Sequence, residues 1–382
     1  MLEGVSPDPR RTSLTSALTA AALTAAAAVP AALLGRAAWG VPTQIGARRR
    51  RLRPLVAGSP QFSEGKFRNT VPTPTMEPGS RGALLKQLRE GRGAGVPSGS
   101  VPLVRPEVPA QAADLAVTWY GHASALLEVD GHRVLVDPVW GERVSPSATL
   151  GPRRLHPVPG PLEEIPQVDA VLISHDHYDH LDLPTVRRLV TEQSAPFVVP
   201  LGIGEHLRGW GVPADRVVEL DWAGSHTVGP LTLTCVEARH FSGRGLSRDD
   251  TLWSSWVVRG PRHRVFFGGD TGYHPAFAAI GAQHGPFDLT LLPIGAYSPA
   301  WAAIHMDPEE AVRAHGDLGG RVFLPIHWAT FNLAFHGWAE PVDRLLEAAA
   351  RSDVPVVVPR PGERLDLTDS TPVTPDWWTA VR

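Results

Sequence analysis

From Leu115 onward the sequence sets short apolar runs between turn residues, and the runs have strand length. Ala116–Tyr120 and Ala125–Val129 are expected as strands, with Asp130-Gly131 turning the second into a third, Arg133–Val136. Further apolar runs predict strands at Ala170–Ser174, Phe197–Val199, Leu231–Val236, Ser255–Val258, Arg264–Phe267, Leu289–Leu292, Val322–Pro325 and Val354–Val358. Helix starts lie between them. Asp182 can cap one, with Pro184 in its first turn, and Pro341 opens another that ends near Arg351. Asp307-Pro308-Glu309-Glu310 combines an N-cap, a proline at N1 and an acid at N3, which makes a capping box. Hairpins come first and strand–helix alternation later. This order predicts an α/β fold of two mixed β-sheets flanked by helices.

Upstream of Leu115 the pattern weakens. Residues 61–111 are rich in Pro and Gly, hold one short helical candidate at Leu84–Arg89, and read as an arm laid over a domain. Residues 1–60 form a basic, Ala-rich leader. Its stretch Ser13–Leu34 has no charge, with Arg10 and Arg11 before it and Arg48–Arg51 and Arg53 after it. Two readings stand, a membrane anchor or a disordered leader: alanine contributes little to insertion and Pro30 interrupts the run. If the stretch anchors, the arginines behind it hold the body on the cytoplasmic side. The expected organisation is leader 1–60, arm 61–111, catalytic domain 112–368 and tail 369–382. A leader without ligand or core strand should be dispensable for folding.

Charge divides the chain the same way. Residues 1–105 carry 15 Lys and Arg against 5 Asp and Glu, and residues 106–382 carry 21 against 34. An acidic body argues against a nucleic-acid partner, whose phosphates it would repel, and suits divalent cations. Cys235 is the single cysteine, so an internal disulfide and a thiolate metal cluster are both excluded. All 16 histidines lie at or beyond His122.

The run His175-Asp176-His177-Tyr178-Asp179-His180 follows the apolar Val171-Leu172-Ile173 and precedes a helix start, which places it on a strand-end loop. On such a loop His175 and His177 can share one metal while Asp179 and His180 face a second. Imidazole nitrogen and carboxylate oxygen are the ligands zinc accepts without thiolate. His240, Asp270 and His327 each follow a later predicted strand, and Gly268-Gly269 permits close backbone approach before Asp270.

In this order the residues resemble the metallo-β-lactamase superfamily, whose fold is an αββα sandwich. Several stretches resemble its N-acylphosphatidylethanolamine-hydrolysing phospholipase D family: Trp119–Ala123, Leu135–Pro138, Ile173–Asp182, Trp253–Val258, Phe266–Tyr273, Leu292–Tyr297, His305–Val312 and Ile326–Phe331. The resemblance implies two Zn ions per chain. His175, His177 and His240 would hold one, Asp179, His180 and His327 the other, and Asp270 would bridge them. It implies a water-derived nucleophile attacking phosphorus, with Tyr178 and His305 touching substrate. A protonated His305 would bind phosphate or protonate the leaving alkoxide. Asp137 is expected to orient a ligand histidine, and His122 to be a buried support.

The implied function is hydrolysis of a phospholipid to phosphatidic acid and an N-acylethanolamine, by a protein that is cytoplasmic or peripheral on the cytoplasmic membrane face. The alternatives are a zinc hydrolase of a soluble ester, lactone or phosphodiester, and a non-catalytic lipid-binding protein. Oligomeric state is left open, a homodimer among the options.

Overall fold

The computed structural model describes residues 35–90, 94–370, 373 and 375–382, so Ser13–Leu34 lies outside the described residues. Helices α1 (Val41–Ile45), α2 (Arg49–Val56) and α3 (Arg81–Glu90), and a small hairpin, β1 (Phe62–Ser63) with β2 (Lys66–Phe67), precede two large sheets. The first large sheet has seven strands: β3 (Leu115–Gly121), β4 (Ser124–Val129), β5 (His132–Val136), β6 (Ala170–Leu172), β7 (Phe197–Pro200), β8 (Val217–Leu220) and β15 (Arg364–Asp366). The second has six: β9 (Ser225–Val228), β10 (Leu231–Val236), β11 (Ser255–Arg259), β12 (Arg264–Phe267), β13 (Phe287–Pro293) and β14 (Gly320–Ile326).

In the order β15-β3-β4-β5-β6-β7-β8 the pairing is antiparallel up to β5 and parallel beyond it. The second sheet repeats the change: β9 to β12 are antiparallel, then β13 and β14 run parallel to β12.

Strand alternation sorts the core. Leu115, Val117 and Trp119 of β3 and Ala125, Leu127 and Val129 of β4 share one buried cluster with Leu231, Leu233, Cys235 and Trp256 of the facing sheet. The intervening Leu126, Leu135, Val171 and Phe197 point the other way, against α4 (Leu183–Glu192) and α5 (Ile203–Trp210). Outside the six-stranded sheet, α6 (Ala276–His284), α7 (Pro308–Leu318) and α8 (Glu340–Arg351) bury Phe277, Ala311, Val312 and Leu345. The result is the expected αββα sandwich. The predicted capping box at α7 forms: Glu310 N donates to Asp307 Oδ1 at 2.9 Å and Asp307 N to Glu310 Oε2 at 3.3 Å.

Three expectations change. Val354–Val358 is not a strand, and only Val356 bridges to Phe323. The described part of the leader packs on the domain: Leu52 and Val56 are buried, Val56 against Phe67 and Trp253, and Arg49 pairs with Asp250 at 3.0 Å. The end of the expected tail is pinned as well. Trp377 and Trp378 are buried, with Trp377 5.5 Å from Trp328 and Trp328 stacked on Trp119 at 6.0 Å between ring centroids. Among the described residues no helix is long and apolar enough to cross a membrane.

Candidate metal centre

Every predicted ligand lies on a loop at one edge of the sandwich. The run His175–His180 follows β6, His240 follows β10, Asp270 follows β12 and His327 directly follows β14. His122 sits in the β3–β4 turn and Asp137 directly after β5. Backbone bonds stitch these loops across the two sheets: His327 N donates to His122 O at 3.0 Å and Ser254 N to Ser174 O at 2.9 Å. The approach is close enough that a Cβ on Gly269 (φ +56) would lie 2.4 Å from Ser174 Cβ, which explains the glycine. His122, Asp137 and His327 adopt φ of 52°, 38° and 64°, left-handed conformations that L-residues occupy at a cost of about 1 kcal/mol or more each.

The side chains converge as two donor sets. His175 Nε2 and His240 Nε2 lie 2.9 and 3.3 Å from His177 Nδ1. Asp179 Oδ2 lies 3.5 Å from His180 Nε2 and 3.3 Å from His327 Nε2. Asp270 Oδ2 belongs to both sets, 3.9 and 3.8 Å from the Nε2 atoms of His175 and His240, and 3.3 and 3.1 Å from those of His180 and His327. A tetrahedral ion with bonds of about 2.05 Å sets its donors about 3.3 Å apart, and both sets bracket that spacing. The residues fit a metal centre on a second ground too: His180 Nε2 and Asp270 Oδ1 are buried without a hydrogen-bond partner.

Electrostatics agree. Burial, reinforced by its histidine neighbours, holds His175 well below its usual value, and burial does the same to His240 against the pull of Asp270. Burial alone would raise the Asp270 and Asp179 carboxyls, but the surrounding imidazoles, His180 foremost, keep both well below the carboxylate range. The charges reappear on the imidazoles: against burial, Asp270 and its neighbours lift His180 well above its usual value and His327 to about 9. Cations would displace those protons, so metal loading should release them.

Supporting side chains hold the donors. Asp137 Oδ2 lies 2.7 Å from His180 Nδ1, and Ser174 Oγ joins Asp137 (2.5 Å) to His175 Nδ1 (2.9 Å). His122 Nε2 lies 2.9 Å from Asp179 Oδ2, within reach of the second donor set as well as supporting it. Sequence reasoning missed the brace beneath the loop. Asp176 accepts from Gly243 N and Thr251 Oγ1, at 2.7 and 3.0 Å, and faces His206. The buried Arg244 donates to the carbonyls of Asp176 and Leu181, at 2.6 and 2.7 Å. The one available signal was the unused acid inside the histidine run.

Two expectations are corrected. The Tyr178 hydroxyl donates to the Arg244 carbonyl at 2.6 Å, and the Arg244 guanidinium lies 4.0 Å over its ring, so Tyr178 packs the loop and is not among the residues lining the cavity beside the donors. His305 does line that cavity, of about 210 Å³, together with Phe241, Arg248, Trp301 and Leu333. Its Nδ1 is buried, unbonded and 4.0 Å from Asp270 Oδ2. Burial lowers it to about 4, so at neutral pH it is an uncharged imidazole and not the cation expected.

Burial acts on histidines outside the centre as well, holding His156, His274 and His315 down to about 4. Their usual value of 6.5 returns on unfolding, so between about pH 6.5 and 4 the unfolded chain binds protons that the folded chain refuses. The share of stability that these three histidines contribute is therefore full above that window and falls as the pH drops through it. The chelated protein should lose thermal midpoint steadily from pH 7 to pH 4.5, and His315→Gln should flatten the slope. A midpoint unchanged across the window would contradict this account.

Residues 132–328 match the family model described as a beta-lactamase superfamily domain. The chain belongs to the beta-lactamase superfamily. Within the superfamily, a Mycobacterium tuberculosis protein described as uncharacterized is 54% identical over 349 residues, 90% of this chain and 94% of that one. The N-acyl-phosphatidylethanolamine-hydrolyzing phospholipase D 1 of Caenorhabditis elegans is 39% identical over 254 residues, 63% of this chain and 71% of that one. A metallo hydrolase from the archaeon Ignicoccus hospitalis shares the fold, with TM-score 0.52 and 24% identity over 66% of this chain and 97% of that one. The chain is thus a metal-dependent hydrolase of this superfamily.

Proposed function

We propose that the protein is a dinuclear zinc phosphodiesterase that cleaves N-acylphosphatidylethanolamine, releasing phosphatidic acid and an N-acylethanolamine. The observation that carries this is Asp270 Oδ2, one carboxylate oxygen within 3.9 Å of His175 and His240 on one side and within 3.3 Å of His180 and His327 on the other, beside a cavity that both sides help to line. The donors are nitrogen and oxygen only, at tetrahedral spacing, which favours zinc. The lipid choice is supported by the likeness to the worm phospholipase D.

His175, His177 and His240 would hold one ion, Asp179, His180 and His327 the other, with Asp270 between. Bound there, zinc supplies Lewis acidity toward water and the phosphoryl oxygens. The protein's own groups do the rest. Phe241, Trp301 and Leu333 give the cavity apolar walls for the lipid, and Arg248 offers a cation to its phosphate. In the reaction the water oxygen bonds to phosphorus, the bond from phosphorus to the ethanolamine oxygen breaks, and the water's proton ends on the leaving alkoxide. A neutral His305 can take that proton up and pass it on. The protein would meet its substrate as a peripheral protein on the cytoplasmic membrane face.

Zinc-loaded protein incubated with membrane lipids should yield phosphatidic acid and N-acylethanolamine in equal amounts by mass spectrometry. Release of fatty acid alone, or no loss of any phospholipid, would overturn the assignment. His305→Ala should lower turnover about tenfold or more while keeping both metals and the thermal midpoint, because its Nδ1 bonds to nothing in the fold. His226→Ala, on the edge strand β9, is the control. Full activity of His305→Ala would remove the residue from the reaction.

A further inference from the structure

We propose that the arginine-rich segment Arg36–Arg53, together with the 243–248 loop, is a face that docks on a bilayer rich in anionic lipid. This rests on the phospholipid reading above and adds the surface and the lipid charge.

The first observation is charge without a partner. No acidic residue lies between Asp8 and Glu64, and Arg36, Arg48, Arg50, Arg51 and Arg53 are exposed. Two arginines of the segment are paired: Arg49 with Asp250 at 3.0 Å, and Arg51 with Glu205 at 3.8 Å while two-thirds exposed (67%). Arg36, Arg48, Arg50 and Arg53 make no ion pair among the described residues. The acidic body pairs two of the six arginines and, among the described residues, leaves four of them without a counter-charge. Helix α2 turns Leu52 and Val56 inward and leaves Arg50, Arg51 and Arg53 in solvent.

The second observation is apolar surface interleaved with that charge. Trp39 is 84% exposed, Leu55 51%, Leu150 61%, and Leu246 is exposed in full. These residues belong to segments in contact. Ser147 Oγ donates to Ala37 O at 2.7 Å, which sets the Trp39 turn on the loop that carries Leu150. Arg244 Nε donates to Gln44 O at 3.0 Å, which sets the Leu246 loop against the other side of α1. A tryptophan and leucines among arginines match an interface where rings and aliphatic chains enter the headgroup layer and guanidinium groups meet lipid phosphates. Arg48, Arg50 and Arg51 also line a cleft of about 390 Å³ beside Trp210, in which three arginines face one carboxylate, Glu205, and leave a net positive charge for a lipid phosphate.

The third observation is position. The loop that carries Leu246 continues to Arg248, which lines the cavity next to the metal donors. Docking on this face would set the cavity beside the membrane surface, while the net-negative remainder is repelled from it. Charge therefore orients the molecule as well as holding it.

The test is flotation of the full-length, zinc-loaded protein with vesicles that contain no N-acylphosphatidylethanolamine, so that binding is read apart from hydrolysis. Vesicles of phosphatidylcholine with phosphatidylglycerol should carry the protein up, phosphatidylcholine alone should not, and high salt should release it. At about fivefold per arginine, the triple variant Arg48→Gln, Arg50→Gln, Arg53→Gln should lower partition by about a hundredfold. The pair Trp39→Ser and Leu246→Ser should lower it about tenfold or more. Both should keep metal content and hydrolysis of detergent-dispersed substrate. Equal flotation on neutral and anionic vesicles, arginine variants that float like the parent, or capture by heparin without capture by vesicles would each overturn the proposal. Flotation as described in a protein that cleaves no detergent-dispersed lipid would support the docking face and sink the hydrolytic reading instead.

Discussion

Asp270→Ala is expected to lower turnover by about a thousandfold or more and to bring metal content well below two per chain, a larger loss than any single histidine change produces. The reason is that one oxygen serves both donor sets. His175→Ala leaves three donors on its own side and four on the other, so one ion should stay. Asp270→Ala leaves three on each side and removes the negative charge between them. It also leaves His180 and His327 without the carboxylate nearest their Nε2 atoms, and His327 owes its high value first to Asp270. Breaking one partner out of a buried charge network typically costs about 3–5 kcal/mol. Elemental analysis beside the turnover assay decides the matter, and an Asp270→Ala protein that keeps both metals would remove the bridging role.

Removal of residues 1–60 is expected to give insoluble or metal-poor protein, against the sequence expectation that the leader is dispensable. Burying Leu52 and Val56 contributes about 2 kcal/mol each. Their loss would also expose Phe67 and Trp253 and strip the carbonyls of Thr43 and Gln44 from Trp210 and Arg244. The sum is a large part of the 5–15 kcal/mol that holds a typical domain together. The damage should reach the metal loop, because Ala47 N donates to His206 Nδ1 at 2.8 Å and His206 faces Asp176. Truncation at residue 34 should leave every one of these contacts in place. A soluble protein lacking 1–60 with full metal content would restore the original boundary.

What the sequence made legible follows from range. Strands buried on both faces, such as β3 and β7, are apolar almost throughout and stand out. The edge strand β9, Ser-His-Thr-Val, is half in solvent and carries no such run, and β15 has three residues. Helix α5 contains Gly204 and Gly209, and α6 is too uniformly small and apolar to show a polar face. The ligands were legible because six contiguous positions of one loop hold four of them, and the others each follow an apolar strand. Ser174, Arg244 and His206 were not, since serine, arginine and a lone histidine acquire meaning only from partners the fold brings up, Arg244 meeting Gln44 from 200 positions away. Tyr178 failed in the opposite sense. Its place between ligands suggested substrate, but strand-end loops point successive side chains to opposite sides, and its side faces Arg244.

Trp328 makes the chain its own optical reporter. It follows His327 in sequence, stacks on Trp119, and lies 5.5 and 6.1 Å from Trp377 and Trp378 near the C-terminus. Indoles at such separations couple their electronic transitions, and the sign and strength of the resulting near-ultraviolet circular dichroism depend on how the rings are mutually oriented. That band exists only while side-chain packing is fixed. It will therefore record in one unlabelled spectrum whether the last residues are seated and whether the strand end that presents His327 has shifted on filling.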